Sequence, residues 1–409
     1  MSERLLLIIN RYRTYDRLMY EVLAEAFDLA VIWISPPPAN EPLPVELASR
    51  LQPHVVDRDD RILRARDVQR NLELFQLIRR EGRDRDLIIA STSDSWKARV
   101  AFAAARSIGV PIAMRKERWY DPAVKRGLRR AYRVFQERTT DFLERHATGV
   151  LVGGSQAEQY VVDRGTSPER VMPFRYLHPD LGTSYLDATT VDELKRLKGN
   201  RIAFLYLGRV MPQKGLATLI AAFRWVLDSG RDAVLFVVGA PITRDEGRGK
   251  VSAEYFEQCQ TLARGESRVM FFPAANPERV QDFYAASDVF VHPHVKQVNG
   301  VEVRDGWGNV ITEAASMSLP IISTDRVASA FDLIENDRNG FLLASSNLDD
   351  ELVTAITRLV DHPELLPAFG RYSRQRFEQF VDPATNVASI KQLIEMETAS
   401  RSGRRARPM

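Results

Sequence analysis

Short, uniformly apolar, β-prone runs recur along this chain, separated by longer stretches of helical period. That alternation constrains the fold more than any other feature. In the first half such runs fall at 5–9, 29–34, 87–90, 110–114 and 150–152, and in the second half at 202–207, 233–238, 269–272, 289–292 and 319–323. Strands this apolar do not suit a sheet with one wet face. They fit parallel strands covered on both sides by helices. After Gly215, residues Leu216, Leu219, Ile220, Phe223, Val226 and Leu227 form one stripe of a helix, and Gly230 stands where a C-terminal glycine belongs.

A chain of 409 residues is too long for one ordinary core and suits two α/β domains. The polar stretch 178–201 breaks the rhythm, so the expected division is 1–185, 186–380, a closing helical segment at 381–399 and a basic, disordered tail at 400–409. A formal net charge of +3 gives no support to nucleic-acid binding. Cys259 is the sole cysteine, so no internal disulfide forms, and no Cys/His cluster has zinc spacing. The N-terminal apolar run reads as a buried strand and not as a signal peptide. No run approaches the ~18–20 apolar residues that span a bilayer. A cytoplasmic protein is therefore expected.

Two stretches carry chemistry. In Leu207-Gly208-Arg209-Val210-Met211-Pro212-Gln213-Lys214-Gly215, a strand runs into a glycine, an arginine and a lysine before a helix begins. Ligands of open α/β sheets sit beyond the carboxyl ends of strands. There Arg209 and Lys214 can clamp one diphosphate, or they form a surface loop with two solvated cations. In Asp305-Gly306-Trp307-Gly308-Asn309-Val310, a glycine-bearing loop opens a helix whose first amides make an anion site. Glu313, about one turn in, can accept both hydroxyls of a ribose or simply complement the helix dipole. Asp305 can reach a sugar hydroxyl or serve as a turn residue before Gly306.

Taken together, these stretches resemble the retaining glycosyltransferases of family four, the glycosyl transferases group 1. Those proteins share the GT-B fold, an α/β architecture of two Rossmann-like domains facing each other across a cleft. The resemblance rests on four landmarks in order: Gly208-Arg209 with Lys214-Gly215, Val238-Gly239, Ala286-Ser287-Asp288 running to Pro293, and Asp305 with Glu313 eight residues on. It covers about residues 202–343. It implies that Arg209 and Lys214 neutralise the diphosphate of a UDP- or GDP-sugar donor and that Glu313 holds the ribose. The backbone at Gly208, Gly308, Asn309 and Val310 would contact the phosphates, and the first acid, here Asp305 where the family has Glu, would touch the transferred sugar. Glu302 is the alternative for that last role. No metal and no cofactor beyond the donor is implied, because the helix dipole and the two cations replace the metal. His292 and His294, on either side of Pro293, would lie near the donor or be structural.

The first domain departs from the family. Its first strand leads into a basic, aromatic stretch, Asn10-Arg11-Tyr12-Arg13-Thr14-Tyr15-Asp16-Arg17, with no glycine. That stretch suits an acidic acceptor, or a polar loop capping the helix that begins near Asp16. Asp94 stands near the place of the family's strand-end histidine, as a catalytic candidate or a helix N-cap. Glu117 and Arg118 are further candidates by position.

In the segment 124–145, Val124, Leu128, Ala131, Phe135 and Phe142 form an apolar stripe, with Lys125, Arg126, Arg129, Arg130 and Arg133 elsewhere. Such a helix rests on an anionic membrane or is an ordinary domain helix. The expected activity is transfer of a sugar from a nucleotide diphosphate donor to an acceptor hydroxyl of a glycan or lipid-linked glycan, with retention, in bacterial polysaccharide or glycoconjugate synthesis. The alternative is a non-catalytic GT-B partner subunit or nucleotide-sugar-binding protein. A nicotinamide enzyme is disfavoured, since no G-x-G-x-x-G follows either first strand.

Overall fold

The computed structural model describes residues 2–10, 12–13, 16–37, 43–51, 53–56, 68–91, 93–121, 128–242 and 246–405. The chain forms two compact units, one of residues 1–179 with 381–409 and one of residues 180–380.

Among the described residues the first unit is built on seven parallel strands: β1 (Arg4–Ile9), β2 (Asp28–Trp33), β3 (His54–Val55), β4 (Leu87–Ala90), β5 (Ile112–Lys116), β6 (Gly149–Val152) and β7 (Val171–Pro173). Their order is β3-β2-β1-β4-β5-β6-β7. Alternation along β1 shows why the runs are uniformly apolar. Leu5, Leu7 and Ile9 pack against the helix Arg17–Ala26, whereas Leu6 and Ile8 pack on the opposite face with helices Val68–Gly82 and Trp96–Ile108. Both faces are dry, as parallel sheets require.

The closing helix, Pro383–Arg405, belongs to this first unit, with Ile390 and Leu393 in its core. Asn386 fastens it: its side-chain oxygen accepts from the Arg175 amide at 2.6 Å and its nitrogen donates to the Arg175 carbonyl at 3.0 Å. The helix does not give way to a disordered tail at 400 but continues to Arg405. Arg401 ties its end down, donating to Glu397 at 3.0 Å and to the Gly109 carbonyl at 2.7 Å. Residues 406–409 of the expected tail lie outside the described residues.

Among its described residues the second unit has six parallel strands: β8 (Ile202–Leu207), β9 (Ala233–Val238), β10 (Val269–Phe272), β11 (Val289–His292) and, beyond a small hairpin of β12 (Gln297–Val298) and β13 (Val301–Glu302), β14 (Ile321–Thr324) and β15 (Gly340–Leu343). Their order is β10-β9-β8-β11-β14-β15. The chain reverses direction of winding between β8 and β11, and that switch point opens a crevice at the carboxyl ends of these two strands. All six residues of the predicted stripe on helix Leu216–Asp228 are buried, and Gly230 follows the cap with a positive φ of 90°.

One helix is turned the other way from an ordinary domain helix. Of the stripe on helix Leu128–His146, Ala131, Phe135 and Phe142 are exposed, together with Val134, Arg138 and Arg145, while Thr140, Leu143 and Glu144 face inward. Val124, Lys125 and Arg126 lie outside the described residues. Among the described residues no helix is long and apolar enough to cross a membrane.

Candidate functional site

Two strand ends flank the switch point of the second unit, and their loops are pinned together by a glycine. After β8, Gly208 takes a φ of 148° and leads past Arg209 into the 3-10 turn Pro212–Lys214. Gly215 then adopts the left-handed conformation, φ 70°, against the Pro293 carbonyl that follows β11; a Cβ there would lie 1.9 Å from that oxygen. We predict that Gly215→Ala lowers stability by about 1–2 kcal/mol, measured by urea unfolding, and detaches the Lys214 turn from β11. Gly239 plays the same part for β9, where a Cβ would fall 2.0 Å from the Gly208 carbonyl.

That close approach brings Lys214 to Asp305. The two form an ion pair with low exposure on both sides, 14% and 21%. His292, the last residue of β11, completes the group: its Nε2 lies 3.6 Å from the same Asp305 oxygen and 3.5 Å from the Lys214 nitrogen. The Asp305 backbone is held by an amide bond to the Arg326 carbonyl, 2.8 Å. Burial opposes the charge of Asp305, yet the His292 ring and the Lys214 ammonium hold its carboxyl well below the usual range. His292 is lowered by burial and then by Lys214. His294 is pushed down to about 3 by burial, followed by the charges of Lys214 and His292.

The loop after Asp305 opens the helix Asn309–Ser316, with Gly308 at its N-cap in the left-handed region, φ 85°. A Cβ on Gly308 would come within 2.4 Å of Val327, so only glycine fits between the helix start and that segment. The first-turn amides of a helix have no intrahelical acceptor and favour an anion. Trp307 anchors this loop. It is buried, its ring stacks on Phe380 at 5.0 Å, and its indole N–H donates to Thr312 at 3.2 Å.

Glu313 lies on that helix, half-buried, and accepts a hydrogen bond of 2.9 Å from the Tyr284 hydroxyl. Burial, then the Glu313 charge, raises the Tyr284 hydroxyl well above its ordinary value, so it stays a donor. Tyr284 was not legible as a site residue: it stands 29 positions before Glu313 in a segment that reads as plain helix.

Arg209 is exposed and lines a cavity of about 530 Å³ with Gly208, Gly239, Ile242, Ala274 and Val280. Glu302 does not join the Lys214 group; it sits on β13, 3.8 Å from Arg326. The landmark Asp288 is structural, accepting from Lys198 at 2.6 Å and from the Ala203 amide at 2.7 Å. Among the described residues no group of three His, Cys, Asp or Glu side chains is arranged to hold a metal ion.

In the first unit, Asp94 follows β4 and pairs with Arg118 at 3.3 Å. Beneath it Lys116 and Glu144 make a fully buried ion pair, 2.8 Å apart, and Ser93 donates to the same Glu144 oxygen. Glu117 faces Arg115 at 3.5 Å. Of the basic, aromatic stretch after β1, Arg11, Thr14 and Tyr15 lie outside the described residues. Tyr12 is core and not ligand surface, its ring packed on Tyr20 and Trp33. Asp16 occupies the N-cap of helix Arg17–Ala26 but makes no capping hydrogen bond.

Residues 189–376 match the family model of the glycosyl transferases group 1. A capsular polysaccharide biosynthesis glycosyltransferase, CapM of Staphylococcus aureus, is 26% identical over 194 residues, 47% of this chain and 46% of CapM. The chain spans about half the length of the curated relatives it matches. Among solved structures, Anabaena HepE superposes with a TM-score of 0.70 at 16% identity, covering 96% of this chain and 99% of HepE. Sucrose-phosphate synthase from Thermosynechococcus elongatus gives 0.72 at 18% identity, covering 97% and 100%. The chain thus has the GT-B fold, and its match to the glycosyl transferases group 1 lies within the unit that holds Lys214, Asp305 and Glu313.

Proposed function

We propose that the protein is a glycosyltransferase of family four that moves a hexose, with retention, from a nucleoside diphosphate donor to an acceptor hydroxyl in polysaccharide or glycoconjugate synthesis. The observation that carries this reading is the convergence of Lys214, Asp305 and the start of helix Asn309–Ser316 at the switch point, with Glu313 one turn further on. As the bond from the sugar to the diphosphate breaks, negative charge grows on the leaving group. Lys214, Arg209 and the helix amides near Gly308, Asn309 and Val310 stabilise that charge. Glu313 accepts the ribose hydroxyls, Asp305 a sugar hydroxyl, and the cavity beside Arg209 takes the base. Asp94 serves the acceptor side. Solved HepE complexes hold UDP and UDP-glucose, which favours a uridine donor for this chain over a guanosine one. The test is nucleotide release from a panel of UDP- and GDP-sugars supplied with acceptor glycans. Release from one donor supports the reading. Binding without release would favour a nucleotide-sugar-binding partner subunit.

The exposed face of helix Leu128–His146 favours work at a membrane surface. Phe135 and Phe142 stand 60% and 49% exposed on one face with Arg138 and Arg145, a pairing that suits an anionic leaflet. The protein is expected to sediment with phosphatidylglycerol vesicles and not with phosphatidylcholine ones. Phe135→Asp should weaken that binding roughly tenfold; equal sedimentation of the variant would remove the contact.

A further inference from the structure

Tyr284 is not among the groups assigned to the donor above, yet its hydroxyl is bonded to the acid that takes the ribose. That hydroxyl has one proton and two acceptors in range, Glu313 Oε2 at 2.9 Å and the Val310 carbonyl at 3.3 Å. The shorter, charge-assisted contact takes the proton. Among the described residues no other donor bonds the Glu313 carboxylate. Val310 stands in the first turn of helix Asn309–Ser316, where a carbonyl already accepts from the amide four residues on. The fold therefore has no second need of the tyrosine oxygen, and a phenylalanine would fill the same apolar space. Packing leaves the ring no freedom. It lies on helix Val280–Ala285, fully buried, 5.6 Å from the Phe290 ring of β11. Asp282 of the same helix is equally buried, accepts from the Asp187 amide at 2.9 Å and pairs with Arg279 at 3.2 Å. Val280, one turn earlier, lines the cavity beside Arg209. One short helix thus walls the cavity read as the base site and reaches the ribose acid.

Resting on the donor-site reading, we propose that Tyr284 is a positioning residue for Glu313 and sets the preference of the site for a ribose over a sugar that lacks its two hydroxyls. A glutamate side chain loses rotamer freedom when it is fixed in a contact. Tyr284 holds Oε2, so that loss is met on folding and the carboxylate awaits the ribose in one orientation. Each carboxylate oxygen has room for a second donor, so the tyrosine does not block the ribose. Without the hydroxyl, Glu313, which is half-buried, turns to solvent and must be ordered anew by every nucleotide that enters. Binding then weakens only where the ligand has hydroxyls to offer Glu313.

The test is calorimetry of UDP, and of UDP lacking both ribose hydroxyls (2′,3′-dideoxy-UDP), with the wild type and with Tyr284→Phe. Wild type should bind UDP roughly a hundredfold more tightly than the dideoxy nucleotide. In Tyr284→Phe the UDP Kd should rise roughly tenfold, while that of the dideoxy nucleotide stays within about twofold. A tyrosine that merely packs would change the two nucleotides alike or change neither, and either result would overturn the proposal. A second arm guards against a disturbed fold. Adding Tyr284→Phe to Glu313→Ala should leave the UDP Kd within about twofold of Glu313→Ala alone. A further loss of about tenfold would show the tyrosine acting elsewhere and would overturn the proposal as well. Two results belong to the reading beneath it: a wild type that binds no nucleotide, or one that binds both equally, removes the donor-site reading and this proposal with it.

Discussion

Lys214→Ala is expected to lower turnover by about two to three orders of magnitude, the loss that follows removal of one preorganised charge stabiliser. The drop should fall in kcat, because charge builds on the diphosphate only as the glycosidic bond breaks. Stability should change far less. Lys214 is paired with Asp305, so its removal leaves a carboxylate of low exposure, but His292 at 3.6 Å remains as a partner. Steady-state kinetics beside a urea melt separates the two effects. A variant that unfolds easily but turns over normally would show the lysine to be structural only.

Glu313→Ala acts on binding. If the carboxylate accepts two ribose hydroxyls, its loss removes two charge-assisted hydrogen bonds, together about 3 kcal/mol, or roughly a hundredfold in the nucleotide Kd. The surrounding fold tolerates the change because the Tyr284 hydroxyl, which now donates to Glu313, also lies 3.3 Å from the Val310 carbonyl. The buried hydroxyl thus keeps an acceptor. Calorimetry with UDP reads this directly, and an unchanged Kd would take the ribose role away from Glu313.

Why these residues were legible is a matter of local grammar. The strands β8, β9, β10 and β11 are uninterrupted apolar runs, and their bounds are those read from the sequence. The loops after β8 and before helix Asn309–Ser316 announced themselves through glycines beside charges. The strands β3, β7 and β15 did not, since they are two to four residues long and border Pro or Gly. Contacts between distant segments were also hidden. Nothing in the sequence ties His292 to Lys214, 78 residues earlier, or Tyr284 to Glu313. Periodicity found the stripe on helix Leu128–His146 but could not say which way it faces. The core contacts of Leu143 and Glu144 turned Phe135 and Phe142 outward.

Asp305 shows how a shorter side chain keeps its place. The resemblance calls for a longer acid, and here the hairpin β12–β13 and the amide bond to Arg326 set the backbone while Lys214 and His292 hold the carboxylate. This predicts that Asp305 is a preorganised group and not a free turn residue.

A crystal structure of the protein with UDP shows directly whether Lys214, Glu313 and the start of helix Asn309–Ser316 form one nucleotide site. The diphosphate is expected against the first turn of helix Asn309–Ser316 within hydrogen-bond reach of Lys214, with the ribose on Glu313. A nucleotide bound elsewhere, or none bound at saturating concentration, would contradict it.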